Sequence, residues 1–350
     1  MQLLGPLEVQ SGFRDSHPRI HWRNPSQTAA ASRHSGWWQI HCLQTRSWRA
    51  LAMLRYSSAT KGDLRSSTAA GGMTNHHYGR IGDIWKHLPL AEILEIEQPA
   101  EYWESHGGSA RYPLTHSWQR DFGVFYFLSH AAKSETLNAS RYWRVLAECG
   151  DFYPGSSEIA MRVLGPETAF LLGDTDPESV RSLWDSSREL GILRVRCESA
   201  DGQDLLWNEI MHLSKARAQR LFVFLDPWSC MTPSELNGRN SIELFRELSR
   251  KGAAVVLWVG FDSMEQRDAI VKHFDSGWLS EIYLDLIKNP RSELNPGVFG
   301  CGLYSGNLSP RSVQAVERLG IELARIYEAA LLSPGESGRL LYQSTLRHQE

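Results

Sequence analysis

The stretch EYWESHGGSARY, Glu101 to Tyr112, decides how the rest of the chain is read. A short apolar strand, Tyr102 to Ser105, carries Glu104 near its end. His-Gly-Gly-Ser-Ala follows at once, and hydrophobic periodicity stops there. A glycine pair directly after a strand marks a backbone that turns tightly or lets a ligand come close.

Upstream, DIWKHLPLAEILEIE repeats its apolar residues at helical spacing from Asp83 to Glu97. Downstream comes a mainly helical excursion between Tyr112 and Leu164, and then strand and helix alternate. TAFLLGD, ILRVRCE, RLFVFLDP, AAVVLWVG and SEIYLDLI are the strands, with amphipathic helices between them, and GCGLYSG followed by a long helix from Ser309 closes the series. Apolar strands separated by amphipathic helices imply parallel pairing with both sheet faces covered, a doubly wound α/β domain. No internal repeat or low-complexity tract interrupts it.

Composition narrows the function. An apolar content of 42% over 350 residues supplies a real core. No apolar run reaches the ~20 residues of a membrane span, and the start lacks the apolar core of a secretory signal, so a cytoplasmic protein is expected. Cys42, Cys149, Cys197, Cys230 and Cys301 are odd in number and never form C-x-x-C, which fits reduced thiols rather than a disulfide framework or zinc site. His76, His77, His87 and His106 fall in no H-x-x-E-H spacing, so no metal is expected.

The net charge of −3 conceals two unlike parts. Residues 1–72 hold nine Lys/Arg against three Asp/Glu, while the remainder holds 28 against 37. An acidic body argues against an extended nucleic-acid footprint and leaves a local groove as the route to RNA or DNA. Residues 1–72 lack periodic apolar faces. An extension upstream of the true start, a transit peptide and a basic arm compete for them, and Met73, directly after AAGG, favours the first. The expected organisation is a disordered extension over 1–72, a domain over 73–335 with a helical insertion at about 113–165, and a flexible tail over 336–350.

Ligands of such sheets bind at the carboxyl ends of the strands. Glu104, Asp174, Asp201 and Asp226 follow successive strands. A carboxylate after the second strand is placed to grip ribose hydroxyls, and the same residue type also caps the next helix; for Asp174 and Asp201 both readings stand.

The order of these motifs resembles that of the bacterial 23S ribosomal RNA adenine-N6 methyltransferases of the RlmJ kind, class I enzymes that use S-adenosylmethionine. The family's N-H-A-D-V-x-K-H is matched by GDIWKH at Gly82–His87, and its D-T-H-A-G-A-G-R-Y by ESHGGSARY at Glu104–Tyr112. Its Y-P-G-S-P corresponds to YPGSS at Tyr153–Ser157, its E-L-H-P to DTDP at Asp174–Pro177, and its D-G to Asp201-Gly202. Its D-P-P-Y stands as DPWS at Asp226–Ser229, and its L-W-Y-P as LWVG at Leu257–Gly260. The resemblance spans roughly residues 75–332. It implies a Rossmann-like class I methyltransferase sheet with a helical insertion after the first strand.

Carried over position by position, the resemblance assigns the cofactor site. Lys86 and His87 would lie near the cofactor's methionine tail, His106 in the loop, Glu104 near the ammonium group and Ser156 beside the cofactor. The amides of Gly107, Gly108 and Ala110 would approach its methionine end, Asp174 would hold the ribose, and Asp201 with Gly202 would meet the adenine. On the substrate side, Asp226 and the Pro227 carbonyl would accept hydrogen bonds from an exocyclic amine while Trp228 stacks on the base. Trp228 replaces the family's second proline, and the late N-P-P-W is altered to YSGNLSP at Tyr304–Pro310. At the DPWS position the chain is also similar to three-Cys-motif partner proteins, whose D-P-F-G is closer than D-P-P-Y. Two alternatives to the adenine reading follow: a catalytically impaired cofactor-binding scaffold of that second kind, and a methyltransferase with a non-nucleic-acid substrate, which the acidic body favours.

Overall fold

A computed structural model describes residues 78–286, 299–328, 330–333 and 336–347. The extension expected over 1–72 lies outside the described residues. The chain runs through α1 (Ile81–Glu97), β1 (Glu101–Glu104), β2 (Arg111–Pro113), α2 (Trp118–Phe122), α3 (Val124–Ala131), α4 (Glu135–Asn138), α5 (Arg141–Cys149), β3 (Phe152–Pro154) and α6 (Ser156–Leu164). It continues through β4 (Ala169–Asp174), α7 (Pro177–Glu189), β5 (Val195–Ser199), α8 (Gly202–Met211), α9 (Lys215–Ala218), β6 (Leu221–Leu225), α10 (Ser241–Lys251), β7 (Ala254–Phe261) and α11 (Met264–Val271). Last come β8 (Gly277–Leu286), β9 (Gly300–Gly306), α12 (Pro310–Ile326), β10 (Ala330–Ser333) and β11 (Glu336–Arg347).

Nine strands form one sheet in the order β10-β11-β8-β9-β7-β6-β1-β4-β5. From β5 through β7 every pair is parallel, and β9 lies antiparallel between β7 and β8. Counting only β1 and β4 to β9, the order is 3-2-1-4-5-7-6 with the seventh strand reversed.

Why both faces are covered is legible in the strands themselves. Side chains alternate across a strand, and in β6 Phe222 and Phe224 enter one core while Leu221, Val223 and Leu225 enter the other. Tyr102 and Trp103 of β1 divide in the same way. The first core is closed by α1, the insertion and α12, the second by α8 and α10. After β4 and β5 the next helix begins at once because an acid caps it. Asp176 accepts the amides of Glu178 and Ser179 ahead of Pro177 at the first turn of α7.

After β1 the chain leaves the sheet. β2 and β3 pair antiparallel in a small separate sheet, α2 to α5 lie between them, and α6 then returns as the crossover helix before β4. At the other end a correction is needed. Residues 336–347, expected as part of a flexible tail, form β11, which pairs with β8 from Gly338 opposite Leu286 to Arg347 opposite Gly277. The physical reason is a period of two hidden among polar residues: Leu340 is buried, and the Tyr342 ring meets the Trp85 ring edge-on at 5.5 Å.

Candidate functional site

The carboxyl ends of β1, β4, β5 and β6 lie side by side. Glu104 is in register with Leu172 of β4 and Phe224 of β6, and Asp174 with Ser199 of β5. Loops leaving these strands touch: a Cβ on Gly202 would stand 1.6 Å from the Ser105 carbonyl oxygen, so only glycine lets the β5–α8 turn close on the end of β1. Asp174, Asp201 and Asp226 therefore sit at one edge of the sheet, as the strand pattern predicts.

The glycine loop is held by its own neighbours. Gly107 N donates to the Gly173 carbonyl at 2.8 Å, Gly108 N to Asp174 Oδ2 at 2.8 Å, Ser109 N to the Tyr112 hydroxyl at 2.9 Å and Ala110 N to Ser182 Oγ at 3.2 Å. Gly108 has φ +56°, the left-handed region that favours glycine, and Tyr112 presses the loop from beneath while stacking on Tyr78 at 4.8 Å. The amides expected to approach a ligand thus have acceptors within the chain. Asp174 takes Gly108 N on Oδ2 and Asp176 N on Oδ1; a carboxylate oxygen has two lone pairs, so each keeps one for a further donor. Asp201 caps α8, accepting Gln203 N and Asp204 N on Oδ1.

Glu104 departs from the expectation that it offers a carboxylate to an ammonium group. It is 0% exposed, and Tyr102, Ser156 and Ser157 all donate hydroxyl hydrogen bonds to it, at 2.9, 2.5 and 2.6 Å. Burial pushes the carboxyl up to about 7 although the three hydroxyls favour the ionised form. Ser156, expected beside a cofactor, is spent on this carboxylate at the first turn of α6. His87 is likewise sealed in, its Nδ1 2.8 Å from the Tyr153 hydroxyl, and burial, then the Lys86 charge, holds it far below the usual imidazole range. It is a neutral packing residue of α1. His106 is half-buried, with Nδ1 2.7 Å from Ser105 Oγ, and burial lowers its pKa.

Lys86 makes the long-range link of the site. Its Nζ lies 2.7 Å from Asp226 Oδ2 and 3.1 Å from Asp83 Oδ1, with side-chain exposures of 13, 14 and 14% for the three residues. Burial alone would lower the pKa of this ammonium, but Asp226 and Asp83 outweigh it and hold the group above the usual lysine range. Lys86 therefore faces Asp226, the residue expected on the substrate side, and not only the place expected for a cofactor tail. The Asp226 carboxyl is pushed up to about 6 by burial, with Lys86 opposing. Asp83 carries no role in the sequence reading, although its place three positions before Lys86 on one helix face is a usable signal. Tyr112 and Ser157 gave none.

Pro227 is buried, and Trp228 projects with 86% of its surface exposed. Such a tryptophan contributes no core burial, so Trp228→Ala should change stability by less than ~0.5 kcal/mol in urea titrations. A loss of the ~3 to 5 kcal/mol typical of a core tryptophan would assign it a packing role.

Among the described residues, Cys149, Cys230 and Cys301 are buried free thiols, Cys197 is half-buried, and no three His, Cys, Asp or Glu side chains gather as a metal site. No described helix is long and apolar enough to cross a membrane.

No family model matches the sequence, and a search of curated proteins finds no match. Among solved structures, protein LPL1258 from Legionella pneumophila strain Philadelphia 1, of the DUF519 family, superposes with a TM-score of 0.57 at 18% identity, covering 77% of this chain and 98% of its own. The shared architecture is a doubly wound, Rossmann-like α/β sheet. Looser superpositions, both with a TM-score of 0.31, are found with precorrin-6y C5,15-methyltransferase from Geobacter metallireducens GS-15 (9% identity, 61% of this chain, 85% of that one) and a methyltransferase from Geobacter sulfurreducens (11%, 75% and 90%).

Proposed function

We propose that the protein is an S-adenosylmethionine-dependent methyltransferase acting on an exocyclic adenine amine of RNA or DNA. The observation that carries this reading is the largely buried Asp226 at the end of β6, fixed by Lys86 through Oδ2, with Pro227 and the projecting Trp228 directly after it. The motif resemblance supplies the reaction class, and the strand order is consistent with it.

The side chains at the strand ends fit the nucleoside half of the cofactor. Asp174 has a lone pair on each oxygen for the two ribose hydroxyls, and Asp201, with its Oδ1 committed to the helix cap, retains Oδ2 for the adenine edge. Lys86, whose ammonium is already shared by Asp83 and Asp226, is not assigned to the carboxylate end. The methionine end needs the glycine loop to exchange at least one internal bond, and the Gly108–Asp174 bond is the most directly placed. When bound, the cofactor supplies an electrophilic methyl group.

Asp226 acts on the acceptor. Its Oδ1 and the Pro227 carbonyl accept the two amine hydrogens and turn the nitrogen lone pair outward, toward the cofactor side of the edge. An aromatic amine becomes acidic only as it is methylated, so no strong base is required at the outset. Trp228 offers a stacking face for an unpaired base, and such stacking contributes ~1 to 3 kcal/mol per base.

Calorimetry with S-adenosylmethionine tests the cofactor half. Asp174→Ala removes the ribose contacts and should weaken binding by roughly 2 to 4 kcal/mol; unchanged affinity would take Asp174 out of the site. Labelled cofactor with separate RNA, DNA and protein pools tests the acceptor. Label in protein alone would favour a non-nucleic-acid substrate, in keeping with the 28 basic and 37 acidic residues beyond position 72. Binding without transfer would leave a scaffold.

A further inference from the structure

Asp83 belongs to none of the motif roles assigned above, yet it organises the charge at Asp226. We propose that Asp83 is a positioning residue that sets the strength of the Asp226 acceptor by dividing the Lys86 ammonium between two carboxylates. The proposal rests on the reading of Asp226 as the amine-orienting group.

Three observations carry it. Asp83 is tied down at its other oxygen, since Oδ2 accepts the Arg80 backbone amide at 3.1 Å at the start of α1. Its Oδ1 meets Lys86 Nζ at 3.1 Å, one helical turn along, while the same nitrogen reaches across to Asp226 Oδ2 at 2.7 Å. All three side chains are more than four-fifths removed from solvent, where opposite charges act at reduced dielectric.

Lysine facing Asp226 alone would form a neutral pair, and a neutralised carboxylate is a poor acceptor for an amine. A second carboxylate on the same ammonium leaves these three side chains with one net negative charge, and the Arg80 guanidinium acts on Asp83 from the start of α1. Asp226 then keeps its acceptor strength while Lys86 still fixes its rotamer. Other titratable groups around Asp226 are Tyr102 and Glu104 from β1, and Tyr112 of β2, Tyr142 of α5, Tyr153 of β3 and Cys301 of β9 act on Asp83 or Lys86. The Trp258 ring of β7 lies 5.6 Å from Lys86 Nζ and carries no charge.

Carbon-13 titration of the Asp226 carboxyl in the full chain, assigned with Asp226→Asn, tests this without any acceptor present. Asp83→Asn keeps an oxygen for the Arg80 amide and removes the charge. It should leave the melting temperature nearly unchanged and lower the proton affinity of Asp226 roughly tenfold, because a like charge is lost and Lys86 is no longer shared. Asp83→Ser carries the same expectation should the asparagine variant not fold. In a Lys86→Met background the effect of Asp83→Asn should shrink by more than half, because only direct repulsion remains. The acid limb of the kcat/KM profile should move to lower pH in Asp83→Asn, with kcat falling and KM little changed. An unmoved Asp226 midpoint, or an equal shift with and without Lys86, would overturn the proposal. Absence of methyl transfer by the wild type would overturn the activity reading instead, and the titration would still decide whether Asp83 acts through Lys86.

Discussion

Asp226→Ala is expected to lower methyl transfer by a factor on the order of one hundred or more, the scale seen when one preorganised polar partner of the transition state is removed. Cofactor affinity should stay near the wild-type value, because the nucleoside contacts assigned to Asp174 and Asp201 lie beyond β1 on the far side of the edge. Stability has to be separated from chemistry here. Removing Asp226 takes away the closer of the two carboxylates that hold Lys86, and breaking a buried pair from one side commonly costs ~3 to 5 kcal/mol. Asp83 remains at 3.1 Å, so the loss should be smaller than that. Asp226→Asn refines the test by keeping the shape and one carbonyl acceptor while removing the charge. Single-turnover assays at saturating cofactor distinguish the outcomes. Undiminished transfer by Asp226→Ala would remove this residue from the chemistry, whatever the substrate.

The second large effect concerns Glu104 and pH. Its carboxyl titrates near 4.5 when the chain is unfolded and at about 7 when folded, with burial as the leading cause. The folded state therefore binds the proton more tightly, so the contribution of Glu104 to stability is fully present below about pH 4.5 and is lost as pH rises to about 7. At 1.36 kcal/mol per pH step, the loss is about 3 kcal/mol before relaxation. Denaturant titrations across this window should show stability falling relative to Glu104→Gln, whose neutral side chain has no such slope. The asparagine-like amide of glutamine also faces Tyr102, Ser156 and Ser157, whose hydroxyls can rotate to accept from it. Parallel pH profiles of the two proteins would show that the hydroxyls stabilise the ionised carboxylate as well as water does. Asp226, pushed up to about 6, adds a smaller slope of the same sign to both proteins, so the difference isolates Glu104.

The sequence by itself determined the parallel part of the sheet, from β5 to β7, and the acids at its strand ends. Apolar strands alternating with amphipathic helices leave parallel pairing as the arrangement that covers both faces, and the acids after β1, β4, β5 and β6 follow from their position in that alternation. The glycine pair after β1 is legible as a tight turn, whereas the left-handed φ of Gly108 and the close approach of Gly202 to Ser105 belong to the tertiary structure. Only the tertiary structure decided which acids are open and which are sealed. Glu104 ends β1 opposite Phe224 and Asp226 lies two residues past Phe224 at the end of neighbouring β6, yet one is closed beneath three hydroxyls and the other faces a lysine 140 positions away in the chain. Spacing along a sequence fixes the face and end of an element on which a side chain falls. It carries no information about which distant element arrives opposite, and the charge state of a buried carboxylate depends on that neighbour. The same limit applies to β11, whose polar residues read as a tail until β8 provides ten residues of backbone partners, because hydrogen bonds to a strand edge depend on the edge and hardly on the side chains.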